Sequence, residues 1–174
     1  MTNLIATASQ TIGPYWHLIE HPEMADLTRF GATGDRMVLT GCITDGDGAP
    51  MADACVEIWQ ADPPATGNFP AYGRTRTNTD GVFRFTTLQP GPVPGRGNTQ
   101  QAPHIALSIL ARGLMKAIVT RVYFAGEALN ETDPVLGMID DSARRATLIA
   151  ARTTDGWKIN IRMQGDNETV FLEV

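Results

Sequence analysis

At 174 residues the chain is long enough for one domain with a real core and too short for two. Its 43% hydrophobic and 19% charged residues are ordinary for a soluble globular protein. With 14 basic against 19 acidic residues and a net charge of −5, it has no basic stripe to neutralise phosphates, which argues against a nucleic-acid or anionic-membrane surface.

Residues 1–36 lack strong periodicity. Met1 to Gln10 has none of the basic start, apolar run and cleavage site of a secretory leader. No stretch reaches the ~18–20 uninterrupted apolar residues of a membrane span, so a cytoplasmic protein is expected. Gly13-Pro14 marks a sharp turn before Tyr15, Trp16 and His17, and one helical turn is expected near Pro22 to Leu27. So few apolar residues cannot fold alone, and the segment reads as an arm that lies on something else.

From Met37 the pattern becomes that of strands. Met37 to Thr44 reads as the first, followed by the turn cluster Asp45-Gly46-Asp47-Gly48. Ala54 to Gln60 places Val56 and Ile58 on one face and Glu57 and Trp59 on the other, and Pro63-Pro64 stops it. After a turn at Asn78 to Gly81, Phe83 and Phe85 share a face of the next strand. A Pro/Gly-rich crossing, Gln89 to Pro103, leads into a strand in which Ile105, Leu107 and Ile109 alternate before Arg112-Gly113. Ala117 to Phe124 is a β-branched and aromatic run, and Pro134 to Ala143 is expected to hold one short helix. A hairpin follows, Thr147 to Arg152 and Trp157 to Met163 about an Asp155-Gly156 turn, and Thr169 to Leu172 closes the chain as a last strand. Seven or eight short strands with almost no helix predict an all-β fold, a β-sandwich of two mostly antiparallel sheets with an extended N-terminal arm. The division expected is an arm over 1–36 and a sandwich over 37–174.

Few residues carry chemistry. Cys42 and Cys55 both fall in strand-like segments and read as free thiols of a reducing compartment, their pairing left open. A strand puts residues i and i+2 on one face, so a His-x-His pair at the start of the strand at 104 would aim two imidazoles at one metal ion. Here His104 is followed by Ala106, and a lone imidazole reads as a hydrogen-bonded structural group. His17 and His21 stand four apart in the arm, and neither the arm nor the strand at 104 groups Cys, Asp and His at a spacing typical of metal sites. Tyr123 lies within a strand, where packing is the default, while Tyr72 reads as either surface or site. Arg112, at a strand end before a glycine, reads either as a surface cation or as a guanidinium placed for bidentate binding of a carboxylate.

Several segments occur together in one order: Thr11-Ile12-Gly13-Pro14-Tyr15, Gly41 through Asp45-Gly46, Val56-Glu57-Ile58-Trp59-Gln60-Ala61, Gly73-Arg74-Thr75 with Thr79-Asp80-Gly81, Pro90-Gly91 and Ala102-Pro103-His104-Ile105. From about residue 9 to the end the chain resembles the intradiol ring-cleaving dioxygenases. Leu110-Ala111-Arg112-Gly113 and the ending Gln164 to Phe171 are similar to the alpha-type chain of two-chain members. The resemblance implies a non-haem Fe(III) enzyme of aromatic catabolism whose metal is held by two tyrosines and two histidines. Three of those four positions are changed here: the loop Asp62 to Phe69 has no tyrosine, Val93 stands after Pro90-Gly91-Pro92, and Ala106 replaces the second histidine. The resemblance therefore implies no metal ligand set and no catalytic residue in this chain alone, with Fe(III) held by a homologous beta-type partner in a hetero-oligomer. It implies substrate-binding roles for Thr11, Gly13, Pro14, Tyr15 and Arg112, toward a small aromatic diol acid cleaved with O2. Trp16 and Phe30 are expected as exposed aromatics of the arm that meet the partner. The competing expectation is a non-catalytic binding or assembly module of the same fold.

Overall fold

Period-two apolar alternation builds the strands. In the computed structural model, which describes residues 8 and 11–173, they are β1 (Arg36–Thr44), β2 (Cys55–Trp59), β3 (Tyr72–Arg76), β4 (Val82–Leu88), β5 (Val93–Pro94), β6 (Gln100–Gln101), β7 (His104–Leu110), β8 (Ile118–Phe124), β9 (Ile149–Thr153) and β10 (Gly156–Arg162). The reading of Met1 to Gln10 as free of a leader lies outside the described residues, apart from Ala8.

Two layers face each other. One holds β3, β2, β7 and β8, the other β10, β1 and β4, and β9 joins them. It pairs parallel with β8 at Tyr123 and Phe124 and antiparallel with β10, so the expected pair of sheets is one continuous eight-stranded sheet folded over its core. The other ladders are antiparallel except β1 with β10. Inward residues are those read from the alternation: Val56 and Ile58, Phe83 and Phe85, Ile105, Leu107 and Ile109 are all buried. The Phe83 and Phe85 rings meet edge to face, 5.9 Å between centroids. Gly41, opposite Phe83 across the β1–β4 ladder, makes room for that ring, since a Cβ there would lie 2.0 Å from it.

Turn chemistry agrees with the sequence. Asp45 Oδ1 accepts from the Asp47 and Ala49 amides, and Asn78 Oδ1 from those of Asp80 and Val82. Cys42 and Cys55 are free, half-buried and buried respectively.

Some expectations change. The segment from Pro134 is no single helix: Asp133 Oδ1 accepts from the Val135 and Leu136 amides and closes a short 3₁₀ turn at Leu136–Met138. Asp141 then caps a separate five-residue helix α1 (Ser142–Ala146). The last strand is absent as a ladder. Between 169 and 172 the backbone changes partner repeatedly, to Arg162, to the Thr147 hydroxyl and to Val119, leaving one isolated bridge, Val119 with Leu172. β3 was not foreseen, because Tyr-Gly-Arg-Thr-Arg carries no apolar alternation.

β3 and β4 end the sheet, and unpaired strand edges need cover. The arm supplies it. A 3₁₀ turn at Pro22–Ala25 lies on β3, Leu27 N–H donates to Thr86 O of β4 at 2.9 Å, and the Leu27 side chain is fully buried in the main core. Thr28 and Ala32 are buried beside it. Trp16, expected exposed, is 5% exposed. It is the one large apolar side chain of the turn Trp16–Ile19 to be buried, and its neighbours Leu18 and Ile19 point to solvent. Phe30 is exposed as expected, with the Arg29 guanidinium 4.3 Å over its ring.

Candidate functional site

The Gly-Pro loop sits over the outer face of the layer containing β2 and β3. Gly13 has φ +70, a left-handed conformation that glycine adopts without strain, and it turns the chain into Pro14. Tyr15 O then accepts from Leu18 N–H at 3.0 Å and starts the 3₁₀ turn that buries Trp16. Thr11, Gly13, Pro14 and Tyr15 line a cavity of 710 Å³ whose floor includes Glu57, Arg74 and Leu110. Tyr15 itself is 71% exposed.

That floor is a closed network. Glu57 Oε1 accepts from Tyr72 Oη at 2.7 Å and from Arg74 Nε at 2.9 Å, with Arg74 Nη2 also 2.9 Å away. Burial, then the bond to Glu57, pushes the Tyr72 phenol up to about 12. Burial, then the nearby Glu57 charge, pushes the Cys55 thiol up to about 12 as well, so it is an unreactive thiol at neutral pH. Tyr72, read as surface or site, is thus a clamp on Glu57.

Arg112 stands elsewhere. It lies in the tight turn that ends β7, closed by Leu114 N–H to Ala111 O, and its side chain is 70% exposed. Its Nη2 is 3.4 Å from Asp53 Oδ2. With His17, Asp53 and Arg76 it lines a separate cavity of 530 Å³. The two cavities are neighbours, because Trp16 lines the first and His17 the second. The structure therefore gathers Thr11 to Tyr15 into one wall and sets Arg112 in the next recess.

The resemblance implies a metal near His104, and the residues present do not fit one. His104 is buried at the start of β7, and its Nδ1 lies 2.7 Å from Ala102 O, the geometry of a donated N–H. Burial lowers its pKa, which favours neutral imidazole. Ala106, next on the same face, pairs across the ladder with Arg121 of β8. Arg121 Nη1 donates to Gln101 Oε1 at 2.7 Å and to Tyr123 Oη at 3.2 Å, and Tyr123 Oη donates to Asp133 Oδ1 at 3.1 Å. A permanently charged guanidinium thus occupies the face a cation would share, and among the described residues no three His, Cys, Asp or Glu converge. His17 and His21 do not join it; His21 pairs with Glu23 at the surface.

Arg121, Asp133 and Asp53 escaped the sequence reading. Arg121 was legible as an outward residue of its strand only once β7 and β8 are paired. Asp133 precedes a proline at a helix start, which is a capping signal. Nothing local marks Asp53.

These features belong to a known class. Residues 13–164 match the family model described as Dioxygenase. The chain is a member of the intradiol dioxygenase family. It is 38% identical to the protocatechuate 3,4-dioxygenase alpha chain of Pseudomonas putida, over 96% of each chain. It is 30% identical to the protocatechuate 3,4-dioxygenase beta chain of Burkholderia cepacia, over 78% of this chain and 67% of that one. Among solved structures, the dioxygenase domain of a dioxygenase–carbohydrate-binding protein fusion from Streptomyces sp. SirexAA-E superposes with a TM-score of 0.61 at 25% identity, over 90% of this chain and 95% of that one. Among the described residues no helix is long and apolar enough to cross a membrane.

Proposed function

We propose that the chain is the alpha subunit of a protocatechuate 3,4-dioxygenase and completes the active site of a beta-type partner that holds the Fe(III). The reaction is intradiol cleavage of 3,4-dihydroxybenzoate: the bond between the two hydroxylated carbons breaks, each takes one atom of O2, and 3-carboxy-cis,cis-muconate forms. Both oxygen atoms enter the product, so no external reductant is needed.

The carrying observation is the face of β7 and β8. His104 is followed on its face by Ala106, and Arg121 lies across the ladder from Ala106, so the face has one imidazole and a fixed positive charge in place of a ligand set. The full-length likeness to an alpha chain supports the same reading. What this chain's own residues do is bind and orient. Thr11, Gly13, Pro14 and Tyr15 form a rigid wall against the aromatic ring, and Arg112 offers its guanidinium to the ring carboxylate. The arm over 1–36 meets the partner through its outer part, where Tyr15, Leu18 and Ile19 are 71%, 72% and 62% exposed and form an apolar edge beside the wall. Two free cysteines fit a reducing compartment, and we place the protein in the cytoplasm.

The test is production of the chain alone and together with a beta-type chain, followed by mass and metal analysis. Alone, it carries no stoichiometric iron and does not cleave the ring; together, iron and activity appear in a complex of both. Iron with activity in the isolated chain would falsify the division of labour. Activity of the partner that is the same with and without this chain would instead favour the binding or assembly module.

A further inference from the structure

The recess around Arg112 is built around one acid. Asp53 Oδ1 is 3.5 Å from Arg76 Nη1 and Oδ2 is 3.4 Å from Arg112 Nη2, so one carboxylate bridges two guanidinium groups. Arg76 has a second acid, Glu20, whose Oε2 is 3.5 Å from its Nε. Among the described residues, Asp53 is the acid that Arg112 ion-pairs with.

The two members of that pair differ in how firmly they are held. Arg112 is a long, exposed side chain in a turn. Asp53 has φ +66 on a backbone fixed from both sides. Its own N–H donates to Thr77 O at 3.3 Å, the Ala54 N–H donates to Thr77 Oγ1 at 2.9 Å, and the Thr77 hydroxyl donates to Met51 O at 2.7 Å. Thr77 is buried. The short Asp53 side chain is thus a nearly fixed point from which a flexible cation is aimed. A guanidinium has more N–H donors than this one contact engages, so its remaining edge is free for an incoming carboxylate.

We infer that Asp53 is the positioning residue of Arg112, holding its guanidinium in the recess beside the Gly-Pro wall so that the enzyme selects ring substrates bearing a carboxylate. The inference rests on the role proposed for Arg112. Asp53 touches no substrate and acts only through that arginine, with Arg76 and its Glu20 contact keeping the carboxylate from collapsing wholly onto Arg112.

The experiment uses the protein assembled with its iron-bearing partner and compares Asp53→Asn, Arg112→Ala and the double variant. Asparagine tolerates the left-handed backbone at 53 as well as aspartate does, so only the charge is removed. Expected for Asp53→Asn is a KM for 3,4-dihydroxybenzoate raised about three- to fivefold with kcat unchanged, the range of one exposed ion pair. The inhibition constant of catechol, the same ring without its carboxylate, stays as in the wild type. In the Arg112→Ala background the Asp53→Asn change adds nothing, since neighbours that act through one another are not additive. An unchanged KM in Asp53→Asn beside an impaired Arg112→Ala overturns the inference and leaves the role of Arg112 standing. An additive double variant, or an equal loss for catechol, overturns it too. A wild-type KM in Arg112→Ala removes the role of Arg112 itself. Should Asp53→Asn fail to assemble, Asp53→Gly, which the same φ admits, is read against the same outcomes.

Discussion

Replacing Asp133 with alanine lowers the stability of this chain by about 3–5 kcal/mol, the cost of removing one member of a buried polar network. Asp133 is 1% exposed and accepts four hydrogen bonds: from the Val135 and Leu136 amides, from Tyr123 Oη and, on its other oxygen, from the Ala102 amide at 2.8 Å. Each buried donor left without a partner costs about 1–3 kcal/mol, and water admitted to the space recovers part of that. Asp133→Asn is expected to lose less, because one oxygen still accepts while an NH2 group must face a donor. Urea denaturation followed by tryptophan fluorescence gives the ranking, wild type above Asp133→Asn above Asp133→Ala. A midpoint for Asp133→Ala equal to that of the wild type would show that the network stabilises nothing. The effect reaches the site, because Ala102 leads into β7 and Tyr123 contacts Arg121. Loss of the carboxylate frees both the strand that begins at His104 and the guanidinium beside it.

The strands were legible where burial alternates and illegible where it does not. β1, β2, β4 and β7 each bury every second residue, so the pattern of the core is written in the local sequence, while β8, whose last three residues are all buried, was legible from its β-branched and aromatic composition. β3 forms because Tyr72 and Arg74 bond to Glu57 across the ladder, an interaction between positions about 15 residues apart that no local period encodes. The three changed ligand positions, in the loop Asp62 to Phe69, at Val93 and at Ala106, were legible only against the pattern of the family the chain resembles. The guanidinium on the same face as His104 was not readable, because Arg121 meets Gln101 only after β8 has paired with β7. The same limit applies to Trp16. A loop rich in turn residues gives no direction to its aromatic side chain, and here the ring turns inward while Leu18 and Ile19 turn out.

Leu27 is the largest side chain that the arm places in the main core, and removing it should detach the wall of the site. Leu27→Ala is expected to cost about 2–5 kcal/mol, the range for truncating a fully buried leucine. The position is unusual because Leu27 lies where the two end strands come together: its amide bonds to β4 and its side chain rests on Gly73 of β3. A Cβ on Gly73 would come within 2.5 Å of Leu27 Cδ1 and 2.7 Å of Met24 O, so Gly73→Ala pushes out both the peg and the backbone that carries it. The two variants change different strands of chain yet release the same segment, which separates this account from simple loss of core volume. Limited proteolysis should then cut both variants faster than the wild type between residues 20 and 35, and cut nothing new within β7 or β8. In the assembled enzyme KM should rise in both, since Thr11 to Tyr15 are carried on the detached segment. Protection of the arm equal to that of the wild type, with stability lost all the same, would mean that Leu27 fills the core without fastening the arm to it, and that the Gly-Pro wall is held by Trp16 alone.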